Sequence, residues 1–261
     1  MMPRNLVFVR HGESEGNVAN HASRNGDDSY LTPEFRARHT SDWDLTPRGV
    51  EQAAAAKEWL DREFPDGFGR CVVSDYRRAR HTAGLLGIPN AEWYVDYYLR
   101  ERDYGDLDAH THAERLRLFQ AVLDRRAAQS FYWRPPNGES MADLCLRFDR
   151  ALDTFHRECA DKDVVVVCHG EVMWAARLRL ERLDMADWLR LDASKAPRDR
   201  IHNCQILHYT REDPTGEATA SDRLGWFRSV CPSDPSLSSN EWQRIVRKKI
   251  TNEELLESAR R

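Results

Sequence analysis

The stretch LVFVRHGES, residues 6–14, joins four apolar residues directly to an arginine and a histidine. Residues 71–73 (CVV) and 164–167 (VVVV) are apolar runs of the same kind, and the second leads into CHGE at residues 168–171. Short runs rich in β-branched residues, without polar alternation, are typical of strands buried on both faces. We therefore predict a parallel sheet covered by helices.

Helical stretches separate these apolar runs. The clearest covers residues 47–60, with Thr46 at the N-cap position and Pro47 at the first helical position. Residues 93–95 and 206–209 are weaker strand candidates, and the remaining predicted helices cover residues 77–86, 113–129, 140–160 and 171–183. Strands that alternate with helices along a chain predict a doubly wound α/β fold.

The composition excludes several classes of protein. The 261 residues include 39 Lys and Arg against 43 Asp and Glu, a net charge of −4, which argues against holding nucleic acid by bulk charge. Residues 164–168 form an apolar run of five, far short of the about 20 residues that a membrane helix needs. The N-terminal apolar stretch is interrupted by Arg10, unlike a signal peptide. We expect a globular cytoplasmic protein with no membrane partner.

Six cysteines are spread along the chain without a Cys-x-x-Cys pair. Neither a redox motif nor a zinc site is therefore predicted. Cys71 and Cys168 lie in or beside apolar runs, where a free thiol behaves as a small apolar side chain. A reducing compartment is the simplest interpretation.

Polar residues follow the predicted strands where each strand ends. His11 and His169 are each followed by glycine, and residues 74–78 read Ser-Asp-Tyr-Arg-Arg. Reacting groups in open α/β sheets gather at the carboxyl ends of strands, so we expect these residues to share one edge. A glycine that opens a helix lets an anion approach the backbone N–H groups closely.

Two histidines among arginines indicate a phosphate site. Arginine binds phosphate oxygens in a bidentate manner, and neutral imidazole is a competent nucleophile towards phosphorus. Guanidinium charges nearby disfavour imidazolium and keep the attacking histidine neutral near pH 7. The leaving oxygen then needs a carboxylic acid, for which residues 99–102 (LRER) offer a candidate.

Six blocks of sequence, in family order over roughly residues 4–210, resemble the histidine phosphatase superfamily with its phosphoglycerate-mutase-like fold. They are RHGESEGN (10–17), LTPRGVEQA (45–53), SDYRRARHTA (74–83), LRERDYG (99–105), NGES (137–140) and VVVVCHGEV (164–172). One Arg-His-Gly tripeptide is weak evidence, whereas six ordered blocks are specific. The resemblance implies a three-layer α/β/α sandwich with a mostly parallel sheet.

Carried onto these positions, the family pattern implies roles for individual residues. His11 would be the nucleophile that forms a phosphohistidine, and Glu101 the proton donor and then the base. Arg10, Arg78 and His169 would hold the phosphoryl group. Arg78 is preferred to its neighbour because the family arginine directly precedes the alanine of its block. The further substrate-binding candidates are Asn17, the backbone N–H of Gly170, Ser14 and Arg102. The resemblance implies no metal and no other cofactor.

The predicted reaction is hydrolysis of phosphomonoesters of small organic molecules, with inorganic phosphate as product. A phosphoglycerate-type mutase is the first alternative. Mutases of this superfamily usually have tryptophan before the signature asparagine, where this chain has Gly16, and Asn-Ser-Leu-Arg after the second His-Gly, where it has residues 171–174 (EVMW). A phosphoprotein phosphatase and a non-catalytic phosphate-binding module also remain open.

Two segments stand apart from the core pattern. Residues 18–44 are interpreted as an insertion near the active site, because long excursions of this kind are usually functional or mobile. Residues 1–230 are predicted to form the histidine phosphatase domain, and residues 231–261 a C-terminal linker and helical tail, with helices over 241–250 and 251–261. A homodimer is left open.

Overall fold

The computed structural model describes residues 1–217, 219 and 221–260. The strands are β1 (Asn5–Arg10), β2 (Arg70–Val73), β3 (Trp93–Val95), β4 (Asp163–Cys168), β5 (Ile206–Thr210), β6 (Trp226–Val230) and β7 (Ser239–Arg244). The α-helices are α1 (Glu15–Arg24), α2 (Pro33–Ala37), α3 (Pro47–Glu63), α4 (Arg77–Leu85), α5 (His112–Gln129), α6 (Met141–Glu158), α7 (Gly170–Leu180), α8 (Met185–Ala193) and α9 (Asn252–Ser258).

All seven strands form one sheet, in the order β3-β2-β4-β1-β5-β6-β7. The pairings β3–β2, β2–β4 and β4–β1 are parallel, whereas β1–β5, β5–β6 and β6–β7 are antiparallel. The α/β fold is confirmed, but the expected mostly parallel sheet is confirmed only for the half that contains the three central apolar runs. Successive antiparallel neighbours at the other end make the sheet mixed.

Helices cover both faces of the sheet. Along β1, Leu6 and Phe8 pack in one apolar cluster with residues of α6 and α7, while Val7 and Val9 pack in a second cluster with residues of α3 and α4. Successive side chains of a strand point to opposite faces, so a strand apolar at every position needs a core on each side. The predicted three layers follow from this arrangement.

The predicted helices after Thr46 and around residues 77–86, 113–129, 140–160 and 171–183 are all present. The predicted helix over residues 241–250 is wrong, because residues 239–244 form β7. Trp242 packs against the ring of His208, with centroids 4.8 Å apart, and under the guanidinium of Arg228. These cross-strand contacts outweigh local helix preference. The division of the chain at residue 230 stays a prediction, and the sheet continues beyond it.

Residues 18–44 form a small separate cluster beside the main core. It contains Ala19, Leu31, Phe35 and Trp43, and the rings of Phe35 and Trp43 are stacked 4.8 Å apart. The Trp43 ring lies directly over Gly16, where a Cβ atom would come within 2.1 Å of Cε3. Gly16 is therefore required by the position of Trp43.

No helix in the described part of the chain has both the length and the apolar character needed to cross a membrane.

Candidate active site

The carboxyl ends of β1 and β4 place the two histidines side by side. In the parallel register Arg10 lies opposite Cys168, so the next residues, His11 and His169, are neighbours. Their ring centroids are 5.1 Å apart, and both side chains are buried. The structure thus brings together the two His-Gly turns that the sequence places at one edge of the sheet.

His11 presents the lone pair of one ring nitrogen to Arg78. Its Nδ1 lies 2.7 Å from the carbonyl oxygen of Gly12, and a carbonyl only accepts, so Nδ1 carries the proton. The lone pair of Nε2 then accepts a hydrogen bond from Nε of Arg78 at 3.2 Å. Burial, together with the charges of Arg78 and Arg10, holds the pKa of His11 well below its ordinary value. The imidazole is neutral at pH 7, with Nε2 directed at a guanidinium.

Arg78 and Arg10 each commit one nitrogen to the backbone. Nη1 of Arg78 donates to the carbonyl of Thr40 at 2.7 Å, which connects the segment 18–44 to the site. Nη1 of Arg10 donates to the carbonyl of Ile201 at 2.6 Å, whereas its buried Nε has no hydrogen-bond partner among the described residues. A Cβ atom at Gly170 would lie 3.4 Å from that Nε. Guanidinium N–H groups of Arg10 and Arg78 that do not bind the backbone therefore lie beside the two histidines.

His169 is the N-cap residue of α7 and is fully buried. Its Nε2 lies 2.8 Å from Oγ of Ser74, at the end of β2, and its Nδ1 has no partner within the described residues. Burial and the charge of Arg78 lower the pKa of His169 well below its ordinary value. A second neutral imidazole thus has one nitrogen available to a ligand.

Glu101 supplies a carboxyl group with an unusual pKa. Burial is the main cause that raises its pKa to about 7, and the charge of Glu171 adds to the effect, while Arg78 and Arg10 oppose it. One carboxyl oxygen accepts the backbone N–H of Arg102 at 2.9 Å. Near neutral pH this side chain can therefore either give or take a proton.

A buried ion pair supports the backbone around Glu101. Arg147 on α6 binds Glu139 through two nitrogens, at 2.9 and 2.8 Å, and its Nη1 donates to the carbonyls of Tyr98 and Arg100 at 2.6 and 3.0 Å. Arg147 was not among the residues predicted from the sequence. Its position within the predicted helix gave no signal, since the backbone carbonyls that it binds lie 46 to 49 residues earlier in the chain.

Glu171 is a second carboxylate that the sequence analysis did not select. The hydroxyl of Tyr104 donates to its Oε1 at 3.2 Å, and Nη1 of Arg102 lies 3.6 Å from its Oε2. Arg102 is itself buried and donates to the carbonyls of Glu139 and Trp133. Glu171 directly follows the second His-Gly, and this position was the sequence signal that could have identified it.

The remaining predicted contacts are held by local bonds. Ser14 caps α1, and its hydroxyl both donates to Oδ1 of Asn17 and accepts the N–H of that residue. Oδ1 of Asn17 also accepts from Nδ2 of Asn203, which donates to the carbonyl of His11 as well. The cap occupies the Ser14 hydroxyl, whereas Nδ2 of Asn17 has no acceptor among the described residues and can donate to a ligand. Substrate binding by Asn17, Gly170, Ser14 and Arg102 stays a prediction.

Among the described residues, no group of three or more His, Cys, Asp or Glu side chains could hold a metal ion.

The family model of the histidine phosphatase superfamily (branch 1) matches residues 6–218. The chain belongs to this superfamily. A glucosyl-3-phosphoglycerate phosphatase of Mycolicibacterium vanbaalenii is 32% identical over 201 residues, which cover 72% of this chain and 79% of that protein. A 2,3-bisphosphoglycerate-dependent phosphoglycerate mutase of Methylobacterium radiotolerans is 33% identical over 193 residues, covering 71% and 82%.

A solved histidine phosphatase has the same fold. The complex of a mycobacterial glucosyl-3-phosphoglycerate phosphatase with inorganic phosphate matches with a TM-score of 0.59 and 26% identity, over 79% of this chain and 89% of that one. The human 6-phosphofructo-2-kinase/fructose-2,6-bisphosphatase 4 is 29% identical, but the match spans only 31% of its length. This chain is an enzyme of the histidine phosphatase family, with phosphatases and mutases among its relatives.

Proposed function

We propose that this enzyme hydrolyses phosphomonoesters of small organic molecules through a phosphohistidine on His11. The observation that carries the proposal is the lone pair of the neutral, buried His11 Nε2, directed at Arg78 in a site that also holds a carboxyl group with a pKa of about 7. A nucleophile, a binding site for anionic oxygens and an acid are thus present together.

In the first half-reaction, Nε2 of His11 attacks phosphorus and the bond from phosphorus to the substrate oxygen breaks. Protonated Glu101 gives its proton to that oxygen, so the product leaves as a neutral alcohol. Arg78 exchanges its bond to Nε2 for bonds to the phosphoryl oxygens, and Arg10 and His169 provide further donors. Fixed guanidinium charges stabilise the transferring group without reorganisation, and we expect the reaction to need no metal.

In the second half-reaction, Glu101 is a carboxylate and takes a proton from water. The water oxygen attacks phosphorus, the bond from phosphorus to Nε2 breaks, and inorganic phosphate leaves. Glu101 is protonated again and His11 returns to its neutral form. A pKa near 7 suits a group that must act as acid and as base in one cycle.

Two features favour hydrolysis over the mutase alternative. Where mutases usually have tryptophan before the signature asparagine, the Trp43 ring covers Gly16, so this position cannot take a large side chain. The arginine that mutases have after the second His-Gly is absent here, because its position is taken by Trp174, which packs against Trp188 with ring centroids 6.0 Å apart.

The Mycolicibacterium relative, by its name, acts on a phosphorylated glucoside of glycerate. We propose that small sugar-containing phosphates are the first substrates to test.

Phosphate release tests the proposal. The panel comprises glucosyl-3-phosphoglycerate, sugar phosphates, phosphoglycerates, nucleotides, a phosphopeptide and an aryl phosphate, each in excess EDTA. Wild type is compared with His11→Ala and with His21→Ala, which removes an exposed histidine. We expect release that resists EDTA, is lost in His11→Ala and persists in His21→Ala. Interconversion of phosphoglycerates without release would identify a mutase, and release equal in all three proteins would overturn the proposal.

A further inference from the structure

A cavity of about 610 Å³ lies near the amino-terminal end of β1, whereas His11 follows the carboxyl end of that strand. Its lining includes Met2, just before β1, and Leu180, where α7 ends. His11 follows the carboxyl end of β1, and a strand of six residues spans about 20 Å. The two sites are therefore separated by the full length of the strand.

The cavity collects positive charge. Arg182, Arg223 and Arg247 line it, and none of them makes a salt bridge within the described part of the chain. A fourth arginine, Arg179, is paired with Asp149 at 2.8 Å. Asp222 is the one carboxylate that lines the cavity within the described residues. Three arginines without a salt bridge thus line a common space that, among the described residues, has one carboxylate.

These arginines lie close enough to repel one another. The pKa of Arg247 is lowered by burial and then by the charges of Arg182 and Arg223. Like charges held together without partners reduce stability, and a bound anion relieves that repulsion. The cluster comes from three separate segments, after α7, before β6 and after β7, so it is produced by the tertiary fold and not by one run of basic residues.

We propose that this cavity is a second anion site, for a small organic phosphate that carries two or more negative charges. Guanidinium groups bind phosphoryl oxygens through paired N–H donors, and three of them match a ligand with several such oxygens. Leu180 and Leu224 supply an apolar wall for the carbon skeleton. The volume lies in the range of small-molecule sites. The site is independent of the catalytic proposal, because it shares no residue with it.

Calorimetric titration with methylenediphosphonate tests the site, since this probe has the charge of the ligand and no bond that a phosphatase can hydrolyse. The titrations use the full chain at fixed ionic strength. The probe also fits the catalytic site, so wild type is expected to bind two equivalents. Arg223→Gln/Arg247→Gln is expected to bind one, with affinity at the cavity weakened by about 10–100-fold and kcat unchanged.

Arg125→Gln/Arg150→Gln is the matched control, because both side chains are exposed and the same charge is removed elsewhere. We expect this control to keep both equivalents. Circular dichroism checks that each variant is folded. A stoichiometry in Arg223→Gln/Arg247→Gln equal to that of wild type, or an equal loss in the control pair, would overturn the proposal.

Discussion

Glu101 is a carboxyl group whose ionisation the fold opposes, since burial raises its pKa to about 7. The first half-reaction needs the protonated form, which is lost as the pH rises above that value. We expect kcat/KM to fall by about tenfold per pH unit on the alkaline side. Glu101→Gln should lower kcat by about 10²–10⁴-fold and remove this alkaline limb, as measured by pH profiles with an alkyl phosphate.

An aryl phosphate with a good leaving group is the internal control for Glu101, because its oxygen departs without a proton. The loss in Glu101→Gln should be smaller for that substrate. If the variant keeps the wild-type alkaline limb on the alkyl phosphate, Glu101 is not the acid.

Glu171 contributes to the pKa of Glu101 through its negative charge. Glu171→Gln removes that charge while keeping an acceptor for the Tyr104 hydroxyl. Ionisation of Glu101 then becomes easier, so its pKa falls and the alkaline limb of the pH profile should move to lower pH. Glu92→Gln, which removes an exposed charge, is the control and should leave the profile in place. A profile that Glu171→Gln leaves unmoved, or moves to higher pH, contradicts this role.

Among individual residues, the resemblance of the motifs identified those next to glycines and strand ends, and the structure places these residues close together. The hydrogen bonds that these side chains make could not be predicted from the sequence. The bond from Arg78 to the carbonyl of Thr40 and the backbone support from Arg147 both depend on packing contacts between distant segments. Such contacts are set by tertiary geometry, which no local pattern records.

Two glycines in helices provide a test of how α1 packs. A Cβ atom at Gly16 would lie 2.1 Å from the Trp43 ring, whereas one at Gly84, on α4, meets nothing within 4 Å. Gly16→Ala should displace Trp43 and lower the free energy of unfolding by about 1–3 kcal/mol. Gly84→Ala should raise it by about 0.5 kcal/mol, since alanine is the better helix former. Urea denaturation measures both, and an equal effect at the two positions would contradict the packing described here.

Among the elements, the central strands and the helix after Thr46 were predictable because their signals are local: buried apolar runs, an N-cap and a proline. Of these signals α1 has only its N-cap, Ser14, and the Asn and Gly residues that follow resemble a loop. β7 was misread because its sequence contains a helix-like spacing, whereas the Arg228–Trp242 contact that holds it to β6 is formed only in the sheet.

The whole molecule keeps its thiols inside. All six cysteines are free and buried, and burial raises the pKa of Cys71 to about 11 and that of Cys145 to about 12. The thiolate is the reactive form, so the native protein should react only slowly with a thiol reagent at pH 8, and six thiols should react in denaturant. Rapid labelling of one or more thiols in the native protein contradicts this arrangement. The reducing, cytoplasmic location inferred from the same residues stays a prediction.

Strand direction was the part of the overall topology that the sequence could not provide. An apolar run reports burial and not orientation, so β5 was identified as a strand without evidence that it runs antiparallel to β1. The parallel pairings of β2 with β4 and of β4 with β1 bring the carboxyl ends of these three strands together, and the proposed catalytic groups lie there.

The proposed mechanism requires that the phosphoryl group passes through His11. Wild-type enzyme is mixed with excess para-nitrophenyl phosphate, quenched in alkali within the first turnover and digested, and the phosphorylated peptide is located by mass spectrometry, with His11→Asn as the control. We predict one phosphoryl group on His11 that is stable in alkali and lost in acid, and none in the control. A phosphoryl group on another residue, or turnover of His11→Asn at the wild-type rate, would contradict this mechanism.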